Sequence, residues 1–288
     1  QCCEDFALMR SIPGDPLASM ARNLPDQTRE NYYAKYGLDK PLFEQYLTYL
    51  ENLLHGDLGE SLVYPGRSVT ETIASTSPVS GLTGGIALVI GVLLGVMLGI
   101  IAALYKNRWP DYLVMFIAIL GITIPVFVLA SLLQYFFSVQ LGVLPTSGWG
   151  EPKHLIMPVI VLCFSTIATY ARYIKSSMLD VLGQDYIRTA RAKGLRNNKV
   201  IFKHALKNSM GPVITYAGPM MAYILTGSMV VENIFSVPGL GRLFVNSMLR
   251  TDYMMIMGVT IFLALIMVLM NFIADVLYKV MDPRINLS

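Results

Sequence analysis

The chain has 288 residues, of which 54% are hydrophobic and 14% are charged. A soluble protein carries about 25% charged residues, so this composition excludes one or two soluble domains and indicates a membrane protein with several spans. The net charge of +3 is small and the bases are concentrated in one segment, which gives nucleic acid binding no support.

Residue types that bind metals or nucleotides are sparse and scattered. Cys2, Cys3 and Cys163 have neither the spacing of a disulfide framework nor that of a zinc site, and the three histidines lie in different segments. No G-x-x-x-x-G-K-[S/T] loop for nucleotide phosphates occurs. We therefore expect no catalytic, metal-binding or cofactor-binding residue, and we expect the chain not to be an enzyme.

Residues 13–77 form a polar segment with nine acids and five bases. Within it, residues 28–36 are predicted to be a helix that Gly37 stops, and residues 42–54 a second helix with Pro41 in its first turn. Its apolar side chains recur at helical spacing, which predicts the core of a small external helical subdomain rather than a ligand site: Phe43, Tyr46, Leu47, Leu50, Leu53 and Leu54.

Residues 79–105 are uncharged and long enough to cross a bilayer. Gly91, Gly95 and Gly99 lie four residues apart on one face, so they predict close packing with another helix, with the lining of a path as the alternative. Lys106 and Arg108 follow in a tight turn, which the excess of bases on the inner side of membranes places inside.

Two later spans contain helix-breaking residues. Pro125 interrupts residues 112–139 and predicts a kink. Gly211-Pro212 and Gly218-Pro219 predict that residues 208–231 are bent or broken. Irregular backbone at membrane depth is tolerated beside a cavity, although a kinked packing helix is the open alternative. The candidate residues of a translocation path are Pro125, Pro212, Gly218, Pro219, Met220 and Tyr223.

Residues 155–182 are predicted to cross back and to continue as a helix into the basic segment 183–207. Nine bases and two acids lie between residues 172 and 207. We expect a helix over residues 186–193 with Gly194 as its left-handed cap, then a short helix with two faces. Its basic face is formed by Arg196, Lys199, Lys203 and Lys207, and its apolar face by Ile201, Phe202, Ala205 and Leu206. Such a helix can lie on anionic lipid or enter a cleft of a protein partner, and the pattern leaves both open.

The last span is predicted over residues 253–274, with Asp275 pairing with Lys279 one turn later. The basic segment and the C-terminus then lie on the cytoplasmic side. The proposed inner side holds thirteen bases: two in the first inner loop, nine between residues 172 and 207 and two in the C-terminal tail. The two short outer loops hold three, namely Lys153, Arg242 and Arg250.

The segment R-T-A-R-A-K-G at residues 188–194 resembles the E-A-A-x-x-x-G loop of ABC importer permeases, in the Y-I-R-T-A-R-A-K-G-L form of their peptide-transport branch. Arg188 and Thr189 replace the first E-A of the general motif, and His204 and Lys207 replace Ile and Pro. The resemblance implies a coupling helix that docks into a groove of a separate ATPase subunit. The implied docking residues are Arg188, Thr189, Ala190, Arg191, Gly194, Leu195, Lys199, Ile201, Phe202, His204, Ala205 and Leu206.

Four further stretches are similar to the same branch: Y-G-L-D-K-P-L-F-E-Q-Y, G-D-L-G-E-S, E-N-I-F-S-V-P-G-L-G and D-P-R-I. The third implies an outer-mouth loop that includes Glu232, Phe235, Pro238 and Gly239. The resemblance also implies an apolar first span, which Glu4 and Asp5 contradict, so we expect residues 1–12 to be its remnant, lacking roughly 20 apolar residues. A cleaved signal peptide, which would leave five spans, is the alternative.

The expected fold is an all-α polytopic transmembrane bundle of the type I ABC importer permeases, natively with six spans. Its expected parts are the span remnant 1–12, the external subdomain 13–77 and the permease domain 78–288. The resemblance implies a homologous second permease, one or two ATPase subunits that bind ATP and Mg²⁺, and an external substrate-binding protein.

The resemblance implies oligopeptides as the substrate, with dipeptides, nickel, glutathione or small sugars as alternatives. Rival interpretations from other classes are an ion-coupled secondary transporter and a membrane scaffold whose basic loop binds lipid.

Overall fold

The computed structural model describes residues 41–61 and 63–281, and within these ranges the regular secondary structure is helical apart from one isolated bridge between Glu60 and Ser68. The predicted all-α class is confirmed. The predicted remnant 1–12, the helix 28–36 and the D-P-R-I stretch at 282–285 lie outside the described residues.

The helices follow in this order: α1 Leu42–Leu54, α2 Val69–Leu104, α3 Trp109–Thr123, α4 Val126–Leu133 with its π-helical continuation Gln134–Gln140, α5 Pro152–Leu182, α6 Asp185–Ala192, α7 comprising Asn197–Lys199, the π-helical Val200–Leu206 and Lys207–Ser209, α8 Gly211–Thr215, α9 Ala217–Ile234, α10 Leu240–Leu249 and α11 Tyr253–Met281.

Helix α1 has the predicted bounds, with Pro41 immediately before its first residue instead of in its first turn. Helix α2 begins ten residues earlier than the span predicted from residue 79. The hydroxyl groups in its polar first turns are satisfied on the helix's own backbone: Thr72 Oγ1 donates to the carbonyl of Ser68 at 2.7 Å, and Thr76 Oγ1 to that of Thr72 at 2.8 Å. The uncharged span predicted from residue 79 thus lies within a longer helix.

Three helices in the described part of the chain, α2, α5 and α11, are long and apolar enough to cross a membrane. Helices α3 and α4 are a further candidate if the two are counted together as one span. Their axes differ by 105°. The predicted kink at Pro125 is therefore a full break. Ile124 adopts an extended ψ of 119° because the ring of a following proline disfavours helical backbone. The six-span count stays a prediction.

The described residues form two compact units. One contains residues 41–61, 63–79 and 238–265, and the other contains 80–237 and 266–281. The core of the first unit is built from Val69, Ile73, Leu240, Met255 and Val259. The predicted boundary near residue 78 is close to the end of its first stretch, but residues 238–265 also belong to this unit.

In the second unit, the glycine face of α2 packs directly on α5. A Cβ atom added to Gly91 would lie 2.7 Å from Cβ of Thr166, and one added to Gly95 would lie 2.8 Å from Cβ of Tyr170. At Gly99 an added Cβ would lie 2.8 Å from the carbonyl oxygen of Ala171. These distances are too short for a real side chain, so the predicted close packing is confirmed and these glycines line no path.

Candidate functional site

The basic segment consists of α6 and α7 joined at Gly194. Helix α6 has Asp185 in its first turn and Arg191 in its last, the charge order that stabilises a helix dipole. The predicted left-handed cap is confirmed, because Gly194 has φ +72° and its N–H donates to the carbonyl of Arg191 at 2.9 Å. Asn208 Nδ2 donates to the hydroxyl of Tyr186 at 2.9 Å and so joins the end of α7 to α6.

Helix α7 contains a π-helical stretch that the sequence pattern did not reveal. In this stretch the backbone bonds run five residues back, so residues five apart share a face. Val200 and Ala205 are both fully buried, and Ile201 is 5% exposed. Phe202, predicted to lie with the apolar face, is instead 61% exposed. The α-helical spacing assumed for the prediction was wrong here, and Val200 was missed for the same reason.

One face of the basic segment is embedded in the second unit. Its buried residues join a single apolar cluster with the C-terminal half of α5. The members from the segment are Ile187, Ala190, Val200, Ile201 and Ala205, and those from α5 are Tyr170, Ile174 and Met178. Ala190, Ile201 and Ala205, three of the residues proposed for docking, are therefore buried in the contact with α5.

The other face carries charge and one aromatic ring. Of the residues proposed for docking, six are exposed, namely Arg188, Thr189, Arg191, Gly194, Lys199 and Phe202. Leu195, His204 and Leu206 are half-buried at the edge. The ion pair of Arg188 with Asp185 spans 3.5 Å between highly exposed side chains and contributes little to stability. The exposed face is therefore basic with an apolar protrusion, Phe202.

A cavity of about 460 Å³ lies in the second unit where two interrupted helices meet. One interruption is at Pro125, between α3 and α4, and the other is at Tyr216, between α8 and α9. Three of the six proposed path residues, Pro125, Pro219 and Met220, line the cavity. The other lining residues are Gly121, Ile122, Ile124, Val126, Ser165, Thr169 and Tyr216.

The remaining proposed path residues do not line this cavity. Gly218 packs on α11, where an added Cβ would lie 2.5 Å from Oδ1 of Asn271. Pro212 lies half-buried in the first turn of α8. The side chain of Tyr223 lies outside the described part of the structure.

The lining residues that carry hydroxyl groups were not predicted from the sequence. Ser165 and Thr169 lie one turn apart on α5, so their four-residue spacing was the available signal. Tyr216 also lines the cavity and stacks on Tyr173 of α5, with ring centroids 4.1 Å apart and planes inclined by 20°. The lining is thus apolar with a few hydroxyl groups.

The stretch proposed as an outer-mouth loop begins later than predicted. Glu232 lies inside α9 and is fully buried, and its Oε1 accepts a hydrogen bond from Ser80 Oγ at 2.6 Å. Phe235 is 2% exposed, and its carbonyl accepts from the N–H of Gly148 at 2.9 Å. Pro238 and Gly239 lie in the first unit and border a separate cavity there. The predicted loop start at Glu232 is corrected to Phe235.

The chain matches the family described as binding-protein-dependent transport system inner membrane component over residues 95–287. It belongs to this family. The permease is 45% identical over 282 residues to the dipeptide transport system permease protein DppB of Bacillus subtilis, covering 98% of the chain and 91% of that relative. It is also 45% identical to the oligopeptide transport system permease proteins OppB of Haemophilus influenzae and of Escherichia coli K12, covering 98% of the chain and 92% of each.

Solved structures support the same fold. An amino acid ABC transporter crystallised with histidines has a TM-score of 0.54 at 18% identity, covering 75% of the permease and 95% of that chain. The MetNI methionine ABC transporter, in inward-facing conformations, has a TM-score of 0.54 at 20% identity, covering 74% and 94%. The helical membrane bundle predicted from the sequence is therefore confirmed.

The family and the apolar helices together establish a multi-pass inner membrane protein and the permease subunit of an ABC importer. The resemblance stated for the E-A-A-like loop is confirmed, and the secondary transporter and the lipid-binding scaffold lose their support. The relatives are named as permease proteins, which accords with an ATPase carried by other subunits.

Proposed function

We propose that the permease imports oligopeptides as one half of a translocation path, driven by ATP that cytoplasmic ATPase subunits hydrolyse. The observation that carries the proposal is the 45% identity over 98% of the chain to permeases named for oligopeptide and dipeptide transport. Dipeptides are the second candidate substrate, because the dipeptide permease matches as well as the oligopeptide permeases do.

The basic segment is the proposed contact with an ATPase subunit. Phe202 protrudes from a face that carries Lys199 and, on α6, Arg188 and Arg191. An aromatic side chain that enters an apolar pocket within a rim of complementary charge is a common anchor of protein interfaces. We therefore propose a partner groove with an apolar floor and acidic edges.

Helix α5 is the proposed link between ATP hydrolysis and the path. Its residues Ile174 and Met178 are packed on the basic segment, and its residues Ser165 and Thr169 line the cavity. The distance along the helix from Ser165 to Met178 is about 20 Å at 1.5 Å per residue. A displacement of the basic segment is thus carried by a continuous helix to the cavity wall.

The proposed orientation places the basic segment and the C-terminus in the cytoplasm. The nine bases between residues 172 and 207 support this orientation through the positive-inside rule. A homologous permease supplies the other half of the path, one or two ATPase subunits bind ATP and Mg²⁺, and a binding protein delivers the substrate on the outside. This chain itself contributes no covalent chemistry.

The test purifies the assembled complex in mild detergent and measures how much ATPase subunit it retains. We expect the double variant Lys199→Glu, Phe202→Ala to retain at least tenfold less ATPase than the wild type, because it loses both the anchor and a rim charge. Phe116→Ala is the matched control, since Phe116 is 59% exposed on α3, outside the basic segment. Unchanged retention in the double variant, with weaker binding to anionic vesicles, would return support to the lipid scaffold.

The substrate is tested by uptake into proteoliposomes that contain the complete importer. We expect tri- to pentapeptides to compete with one another and dipeptides to compete more weakly. Uptake of dipeptides alone would assign the second candidate substrate, and uptake of nickel, glutathione or sugars in place of peptides would contradict the proposal.

A further inference from the structure

The first unit contains a cavity of about 410 Å³ that the coupling mechanism does not use. Its wall comes from two parts of the chain that are far apart in sequence: residues 64–76, in the turn before α2 and its first turns, and residues 238–255, which comprise α10 with the residues around it and the start of α11. The lining residues are Tyr64, Arg67, Thr76, Pro238, Gly239, Arg242, Leu243, Asn246, Ser247, Arg250, Asp252 and Met255.

The cavity is electropositive. Three arginines line it together with one carboxylate, that of Asp252. Asp252 is 3% exposed, accepts from the N–H of Met255 at 3.3 Å at the start of α11, and accepts from Ser61 Oγ. Its charge is therefore engaged in the protein framework, and the cavity wall carries more arginines than carboxylates.

Arg67 and Arg250 converge on one aromatic ring. Their guanidinium carbons lie 5.6 Å and 5.3 Å from the ring centroid of Tyr64. Arg67 Nε donates to Thr72 Oγ1 at 3.1 Å, and Arg250 Nη1 donates to the Tyr64 hydroxyl. In the described structure neither guanidinium pairs with a carboxylate, so most of their donors are unused.

Two guanidiniums that share one ring repel each other, and an anion between them would offset that repulsion through charge-assisted hydrogen bonds. The planar fork of arginine matches a carboxylate in particular. The side-chain amide of Asn246 lines the same cavity and makes no hydrogen bond within the described residues, so it is available to a peptide unit next to a carboxylate.

We propose that this cavity binds the terminal carboxylate of a peptide on its way into the permease. The inference rests on the proposed function for the identity of the ligand. The volume of about 410 Å³ falls within the range of small-ligand sites, which begin at about 300 Å³, and this favours a small ligand over an acidic side chain on the binding protein.

The experiment compares uptake of trialanine and of trialanine amide by the complete importer in proteoliposomes. The readout is kcat/KM for trialanine divided by kcat/KM for trialanine amide. This ratio is compared between variant and wild type, so any preference of the binding protein for one probe cancels. We expect Arg250→Gln and Arg67→Gln each to lower this ratio about tenfold, as befits the loss of a hydrogen bond to a charged group. Arg250→Lys, which keeps the charge, should recover part of the ratio.

The control variant is Lys153→Gln, which removes an exposed base from the first turn of α5 and should leave the ratio unchanged. An equal loss of kcat/KM for both probes would show that the arginines serve docking of the binding protein. Unchanged kcat/KM for both probes would show that no carboxylate binds there. Either result overturns the inference while the importer still transports peptide. A wild type that takes up neither probe would instead refute the proposed function, and the inference with it.

If the variants fail to assemble, a measurement on the wild type alone tests the inference. The wild-type membrane complex without binding protein is titrated with trialanine and with its amide. We expect the free carboxylate to bind at least tenfold more tightly, and equal affinities would overturn the inference.

Discussion

The two interfaces of α5 in the second unit differ in how their partner helices are built. Toward α2, an unbroken helix presents glycines, and the two backbones touch along three turns. Toward the cavity, the partner helices are interrupted at Pro125 and Tyr216, and open space of about 460 Å³ remains. Continuous helices with small residues thus give a rigid contact, whereas interrupted helices leave room for a substrate and for movement.

The largest expected effect is on the rigid side. Gly95→Val introduces a Cβ that would lie 2.8 Å from Cβ of Tyr170 and 3.0 Å from the carbonyl oxygen of Ile167. We expect a loss of about 3 kcal/mol, at the upper end of overpacking costs, because a backbone atom cannot move aside. Thermal unfolding of the detergent-solubilised complex measures it. Gly85→Val on the same helix is the control, since nothing lies within 4 Å of its added Cβ.

The second largest loss of stability is expected when the ion pair between Asp111 of α3 and Lys175 of α5 is broken. Asp111 is 3% exposed and also accepts from the N–H of Asn107 at 3.1 Å. Lys175→Met should cost about 2 kcal/mol, less than a fully buried pair because Lys175 is 21% exposed. A double-mutant cycle with Asp111→Asn checks the coupling, and additive losses would contradict it.

On the open side, Tyr216→Ala should cost only about 1 kcal/mol, the contribution of a stacked aromatic pair. Peptide uptake should change severalfold, since the stack with Tyr173 borders the cavity. Tyr216→Phe keeps the stack and should resemble the wild type in both measurements. A loss of stability as large as that of Gly95→Val would remove the distinction between the two sides.

The smallest expected effect is that of Thr169→Val. Its hydroxyl donates to the carbonyl of Ser165 at 2.9 Å on its own helix, so its loss should change stability by less than about 0.5 kcal/mol. The change replaces a hydroxyl by a methyl group on the cavity wall. Relative uptake of polar and apolar tripeptides measures the result, and an unchanged preference would show that this hydroxyl does not face the substrate.

Local signals in the sequence were sufficient for several features. The spacing of Gly91, Gly95 and Gly99 predicted the close helix contact, because helical periodicity alone places them on one face. Gly194 predicted a left-handed cap for a similar reason: its backbone freedom is a property of the residue itself. The family was recognisable because its loop motif is contiguous in the chain.

Other features depend on parts of the chain that are distant in sequence. The exposure of Phe202 follows from a π-helical stretch that packing of Val200 and Ala205 on α5 favours, and no local pattern encodes that register. A kink at Pro125 was predicted, but the full break with its 105° turn depends on what surrounds it.

By itself, the sequence determined the helical membrane class, the basic segment and its glycine cap, since hydrophobicity, charge and backbone freedom act within a few residues. Only the tertiary structure decided which residues of that segment are buried, where two interrupted helices leave a cavity, and that Arg67 and Arg250 share the ring of Tyr64. Such placements depend on the mutual packing of elements far apart in the chain, which no window of sequence contains.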